Sequence, residues 1–153
     1  GFEVTHAVEV RPLADGDFER WSALWRDYLA FYGTTRPDAV FATTFARHLD
    51  PGRDDMRGWL AVDATGEAVG LVHVIVHAHG WQEAPVTYLQ DLYAVPFVRG
   101  QGVGRRLIET VYADADAHGR ASVYWLTQAG NATARQLYDR IGVATDFIKY
   151  SRS

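Results

Sequence analysis

The sequence predicts an α/β fold, a single three-layer domain built on a mixed sheet in the order β-α-α-β-β-β-α-β-α-β. Three observations point there. The apolar period switches between about two and about 3.6 residues along the chain, so strands and helices are both present. Three strand patterns follow one another across residues 57–95, separated only by short turn-like connections, which reads as a meander. A helix and a further strand come next, and strand-helix-strand implies a parallel crossover, hence a mixed sheet with helices packed on it. With 153 residues, one domain over 1–153 is expected, long enough to bury a core.

The elements follow in order. "HAVEVRPL" alternates and predicts a first strand, about Thr5 to Arg11. Phe18, Trp21, Leu24, Trp25, Tyr28, Leu29 and Tyr32 then recur at helical spacing, with Asp15 or Asp17 to cap the start and Gly33 to end it. A second helix lies between Pro37, suited to a first turn, and Pro51, which stops it. "RGWLAVD" and "EAVGLVHVIVHAHG" read as strands around the turn "ATG", and "VTYLQDLYAV" as a third after the loop "HGWQEAP". Val103, Leu107, Ile108, Val111, Tyr112 and Ala115 make an apolar helical stripe ended by Gly119. "SVYWLT" is a strand, "NATARQLYDRIG" a helix between Asn131 and Gly142, and "TDFIKY" a final strand.

Composition narrows the function classes. Hydrophobic residues are 48% and charged residues 22%, ordinary for a globular protein. A formal net charge of -4 argues against general nucleic-acid binding. There is no cysteine, which rules out disulfides, thiolate metal sites and a cysteine nucleophile, and fits a cytoplasmic location. The apolar stretch "AVGLVHVIVHA" is too short to span a bilayer, no secretory leader is expected, and no membrane partner is implied.

"VRGQGVGRRL" sits between a strand and a helix and carries Gly100, Gly102 and Gly104. The first amides of a helix lack partners and lie at its positive dipole end. Glycines let a ligand reach them, so the stretch predicts a phosphate cradle, with Arg99, Arg105 and Arg106 adding charge. A P-loop would need Lys and Ser/Thr after Gly104, and a dinucleotide fingerprint would need Gly at position 105; arginines stand there instead. What remains is R-x-x-G-x-G: Arg99, Gly100, Gln101, Gly102, Val103, Gly104.

This motif resembles the acyl-CoA pyrophosphate loop of the GNAT superfamily of N-acetyltransferases. "YLQDLYAVP" is similar to that family's fourth strand, and "NATARQLYDRIG", with Asn131 and Tyr138, to its later motif. The ending resembles a branch with fungal histone and D-amino-acid acetyltransferases, and the "YLQD" stretch more distantly the diamine acetyltransferases. The resemblance implies acetyl-CoA as co-substrate, lying between two splayed parallel strands, Val86–Val95 and Ser122–Thr127. Leu92, Tyr93, Ala94 and Val95 would pair with the pantetheine arm, and Asn131 would hold it. A backbone amide would polarise the thioester, and Tyr138 would protonate the leaving thiolate.

The implied reaction is direct acetyl transfer to a primary amine of a small molecule or of a peptide lysine. The alternative is an inactive acyl-CoA sensor, and a larger acyl group is equally compatible. The general base stays open. In diamine acetyltransferases a glutamate fills the position of Gln90, which cannot take a proton, and this puts polyamine chemistry in doubt. Asp91 is the nearest carboxylate, as base or as structural acceptor, with His73, His77 and Glu83 in reserve. Tyr28, Tyr32, Trp81 and Gln90 are the candidate acceptor contacts, whereas Trp21 and Trp25 read as core. No metal site is expected: His73 and His77 lie ~13 Å apart on an extended strand, and His77 and His79, which could share an ion, lack an evident third ligand. A homodimer is expected through "TDFIKY", whose Phe147, Ile148 and Tyr150 would otherwise leave an apolar edge exposed.

Overall fold

The computed structural model describes residues 8–152. The strands are β1 (Glu9–Pro12), β2 (Met56–Val62), β3 (Ala68–His77), β4 (Val86–Ala94) and β5 (Val123–Tyr124). The helices are α1 (Phe18–Phe31), α2 (Asp38–Leu49), α3 (Val103–Ala117) and α4 (Ala132–Ile141). The sheet order is β1-β2-β3-β4-β5, antiparallel up to β4, with β4 and β5 parallel. Helices on both faces make three layers, as the change of period predicted.

Alternation along the strands sorts the side chains between two cores. On one face, Trp59, Ala61, Val69, Val72, Val74 and Leu89 meet Val103, Leu107, Ile108 and Val111 of α3. On the other, Leu60, Val62 and Leu71 meet Trp21, Leu24 and Trp25 of α1 and Phe41 and Phe45 of α2. Trp21 and Trp25 are therefore core, and Trp21 is fully buried. The meander's antiparallel ladder carries one irregularity that matters for the site. His73 pairs with Asp91 but Val74 pairs with Leu89, so Gln90 is an extra, exposed residue that bulges from β4.

Three expected elements differ. Of the expected first strand, residues 5–7 lie outside the described residues, and β1 runs Glu9–Pro12. The strand expected over Ser122–Thr127 is paired only at Val123 and Tyr124. The expected final strand "TDFIKY" is not a strand. Alternation gives a strand only where a neighbouring ladder accepts its amides. Beyond Tyr124 the fifth strand no longer pairs with the sheet, and Phe147, Ile148 and Tyr150 are 86%, 74% and 88% exposed. Among the described residues, no helix is long and apolar enough to cross a membrane.

Candidate active site

The site grows from the parting of β4 and β5. Their parallel pairing ends at Tyr88 and Tyr124, while β4 continues to Ala94. The Val95 amide bonds the Val69 carbonyl at 2.9 Å, so Val95 faces β3. By the alternation of an antiparallel ladder, the backbone groups of Ala94 and Leu92 face the other way, into the gap left by β5. The Ala94 carbonyl is reached there by Nε of Arg99 at 3.1 Å. A wedge-shaped gap lined by main chain that β5 does not pair is thus built into the sheet.

The glycine loop closes one end of this gap. Gly100 and Gly102 have φ of 86° and 78°, left-handed values that a β-branched residue resists. Gly102 is the N-cap of α3, and its carbonyl accepts from the Arg106 amide at 3.0 Å. Among the described residues, the amides of Gly102, Val103, Gly104 and Arg105 donate to no backbone carbonyl. They are converging donors at a positive helix end. Several side chains of the loop are engaged locally. Arg105 pairs with Glu109 at 2.8 Å, Arg106 bonds the Val8 carbonyl, and Gln101 bonds the Phe97 carbonyl at 3.2 Å. Arg99 lies over the rings of Phe31 and Tyr93, 5.6 and 5.8 Å from their centroids.

Helix α4 supplies the far wall. The Asn131 side chain accepts from the Ala134 amide at 3.3 Å, so Asn131 caps the helix and keeps its amide NH2 free. Tyr138 packs edge-on against Trp125 at 5.5 Å. Gly142 ends the helix by close approach rather than by a left-handed turn: a Cβ there would sit 2.8 Å from Trp125. Burial and the nearby Tyr32 raise the Tyr138 pKa, keeping a neutral hydroxyl.

On the α1 side the rings of Tyr28 and Tyr32 are 5.1 Å apart, and Tyr28 lies 6.0 Å from Tyr93. Burial and the neighbouring Asp91 push the Tyr28 hydroxyl well up. The Asp91 carboxylate is the hub. Its Oδ2 accepts from His73 Nδ1 at 2.8 Å and from Trp25 Nε1 at 3.3 Å. Burial pushes Asp91 up, but the His73, Tyr28 and Trp25 contacts outweigh it and hold the carboxylate below its usual range. His73 is 1% exposed, and its Nε2 accepts from Trp21 Nε1 at 2.8 Å. An indole N–H can only donate, so the remaining hydrogen of His73 is on Nδ1 and points at Asp91.

Tyr28, Tyr32, Asp91, Tyr93 and Tyr138 are therefore gathered around the gap, with Gln90 bulging at its rim. Trp81 is not brought there; it is 91% exposed on the β3–β4 connection and touches His79. Sequence reasoning missed the His73–Asp91 bond and the placement of His77 beside Tyr124, whose signal is the shared parity of residues 73, 75 and 77. The β3–β4 register turns that parity into contacts.

Residues 21–143 match the Acetyltransferase (GNAT) family. The D-amino-acid N-acetyltransferase HPA3 of Saccharomyces cerevisiae is 40% identical over 151 residues, 98% of this chain and 93% of that protein. The chain belongs to the GNAT acetyltransferase family. Another relative, the uncharacterized N-acetyltransferase YhfO of Bacillus subtilis, is 24% identical over 94% of this chain and 95% of its own. Among solved structures, the acetyltransferase AAC(6')-Iy in complex with the bisubstrate analogue CoA-S-monomethyl-acetylneamine superposes with a TM-score of 0.83. It is 19% identical, over 96% of this chain and 98% of that one. A ribosomal-protein-alanine N-acetyltransferase from Brucella melitensis superposes at 0.79, with 20% identity over 97% and 99% of the two chains. These likenesses carry the GNAT fold, whose splayed strands are the gap described above.

The histidine behind Asp91 has a consequence for stability. The His48 ring packs against His73 at a tilt of 56°, with centroids 4.5 Å apart. Its Nδ1 donates to the Thr44 carbonyl at 3.0 Å, and its Nε2 is buried without a partner. Burial and the neighbouring His73 push its pKa from 6.5 down to about 3. The unfolded chain then binds a proton that the fold refuses, so stability is full above pH ~6.5 and declines toward pH ~3. At pH 4.5 the loss from this group is about 2–3 kcal/mol, at about 1.4 kcal/mol per unit. Asp91, also lowered, adds a loss of the same sign as pH falls through its folded value. Urea unfolding of His48→Phe is expected to show a flatter pH dependence between 6.5 and 4.5 than the unmodified chain.

Proposed function

We propose that the chain transfers the acetyl group of acetyl-CoA to the primary amine of a small molecule, a D-amino acid in the first instance. One observation carries the reading. The gap between β4 and β5 runs from unpaired β4 backbone to four converging, uncommitted amides at the start of α3. That is a seat for an extended chain ending in pyrophosphate. The D-amino-acid acceptor rests on the yeast relative at 40% identity over nearly the whole chain.

The roles follow from position. The amides of Gly102 to Arg105 hold the pyrophosphate, with Gly100, Gln101 and Arg99 forming the rim. Leu92 and Ala94 offer backbone to the pantetheine arm between Tyr93 and Val95, and Asn131 offers its side-chain amide. Tyr138, neutral and half-buried, gives its proton to the departing thiolate. Tyr28, Tyr32 and Gln90 line the acceptor side. Asp91, already holding two donors on Oδ2 and kept as a carboxylate, anchors the incoming ammonium rather than serving as the base.

Calorimetry with CoA, followed by thiol release from acetyl-CoA over D-phenylalanine, an aminoglycoside, spermidine and a histone peptide, tests the proposal. Micromolar CoA binding and fastest release with the D-amino acid are expected. CoA binding with no release from any amine means a sensor, and no CoA binding at millimolar ligand removes the reading.

The working unit is proposed to be a cytoplasmic homodimer. Helix α4 has no fully buried residue, and Val143, Phe147, Ile148 and Tyr150 beyond it are exposed, a patch that a second copy would cover. Light scattering at micromolar concentration is expected to give twice 17.1 kDa. A monomer mass removes the dimer.

A further inference from the structure

The acyl transfer needs a proton acceptor, and none of the groups nearest the gap is suited to it. Gln90 has no basic atom. Asp91 is held as a carboxylate by three donors. His73 is buried with both ring nitrogens committed. Of the described histidines, His48 is enclosed behind His73, His79 accepts from the Trp81 amide on the exposed loop, and His118 bonds the end of α3.

His77 stands apart. It is the last residue of β3, on the face that carries His73, Ile75, Tyr88 and Asp91, which is the acceptor side. Its Nδ1 faces the Ala78 carbonyl at 2.8 Å and so carries the hydrogen. Its Nε2 is left with a lone pair, 2.7 Å from the Tyr124 hydroxyl. That hydroxyl therefore donates to His77. Tyr124 is the last paired residue of β5, where the gap opens, and its ring stacks on Tyr88 at 4.9 Å and 21°. Burial raises the Tyr88 hydroxyl, and Tyr124 and Asp91 raise it further. The proposed amine anchor, Asp91, thus shares one sheet face with Tyr88, and Tyr88 is joined through Tyr124 to a partly solvent-exposed imidazole.

We propose that Tyr124 and His77 form the base of the reaction, with Tyr124 the group that touches the amine and His77 the positioning residue that stores the proton. Once the ammonium held at Asp91 has lost one proton to solvent, the neutral amine nitrogen bonds the thioester carbonyl carbon, an N–H proton passes to the Tyr124 oxygen, and the Tyr124 hydroxyl proton passes to His77 Nε2. The C–S bond then breaks and the thiolate sulfur takes the proton of Tyr138. His77 returns its proton to water, and Tyr138 regains one from solvent. Acid and base are separate groups: Tyr138 packs on Trp125, whereas Tyr124 bonds His77.

The relay rests on the acetyltransferase reading above, and the experiment separates the two. Thiol release from acetyl-CoA with D-phenylalanine is measured for the unmodified chain, Tyr124→Phe, His77→Ala, His77→Gln and the double variant Tyr124→Phe/His77→Ala. Each single variant is expected to lose about 100-fold or more in kcat, the usual range for a general base, with KM for the amine and CoA affinity within about threefold. The double variant is expected to lose no more than the worse single, because the two act as one unit. Added imidazole is expected to restore His77→Ala and not Tyr124→Phe. His77→Gln keeps a side chain that can bond both Ala78 and Tyr124, so its loss of kcat at unchanged melting temperature reads chemistry rather than folding. Unmodified turnover in Tyr124→Phe or in His77→Gln would overturn the relay alone. No turnover by the unmodified chain with any amine would overturn the proposed reaction, and the relay with it.

Discussion

Tyr138→Phe is expected to lower kcat by about 100- to 1,000-fold while changing the dissociation constant for CoA by less than threefold. The magnitude is that of a lost general acid. The split between turnover and binding follows from where the hydroxyl stands. The ring of Tyr138 packs against Trp125, and that contact is kept by phenylalanine. Among the described residues no hydrogen bond ties the hydroxyl to the fold, so the substitution removes a proton donor and leaves the packing in place. Burial and Tyr32 raise the Tyr138 pKa, so the group stays protonated across the neutral range, and its acid function needs no titration of its own. The prediction is checked by steady-state kinetics beside calorimetry, with single-turnover rates to show that chemistry is being read. Wild-type kcat under chemistry-limited conditions would assign Tyr138 to packing and place the acid elsewhere.

Local signals carried most of the fold because each had its own physics on the chain. Of the expected stripe, Val103, Leu107, Ile108, Val111 and Ala115 are buried and Tyr112 is half-buried, and the meander pairs in the order that its turns required. The glycine loop was legible for a similar reason: left-handed backbone at Gly100 and Gly102 needs residues without a Cβ. What stayed hidden depends on pairing between distant segments. The bulge at Gln90 exists only against the register of β3. The bond from His73 to Asp91 joins residues 18 apart, and that from Trp21 to His73 joins residues 52 apart. "TDFIKY" failed in the opposite sense. Its β-branched and aromatic residues favour a strand, but a strand also needs a neighbouring edge, and β5 is paired at only two residues.

Gly102→Val is expected to weaken CoA binding by about 100-fold or more and to leave a folded, less stable protein. Two independent effects act at this position. A β-branched residue at φ 78° is strained by roughly 1–2 kcal/mol, even though a Cβ there meets nothing within 4 Å. The chain escapes that strain by turning the peptide, which moves the N-cap of α3 and scatters the amides of Gly102, Val103, Gly104 and Arg105. Hydrogen bonds to a charged group are worth about 1.5–3 kcal/mol each, so misaiming two of them costs about 3–6 kcal/mol of binding. If the peptide instead holds its place, the open space beside Gly102 is filled by two methyl groups where the phosphate would sit. Both routes end in lost affinity. The fold survives because α3 is anchored by Val103, Leu107, Ile108, Val111 and Ala115, and the melting temperature is expected to fall by roughly 2–4 °C per kcal/mol of strain. Gly102→Asn separates the two effects, since Asn tolerates the left-handed region. It is expected to keep the melting temperature nearer to that of the unmodified chain while still obstructing the phosphate. Gly104→Ala is the milder companion: its added Cβ would rest 3.5 Å from Leu137, an ordinary contact, so any lost affinity there comes from the ligand side. Calorimetric CoA affinity equal to that of the unmodified chain in Gly102→Val would mean that these amides hold no phosphate.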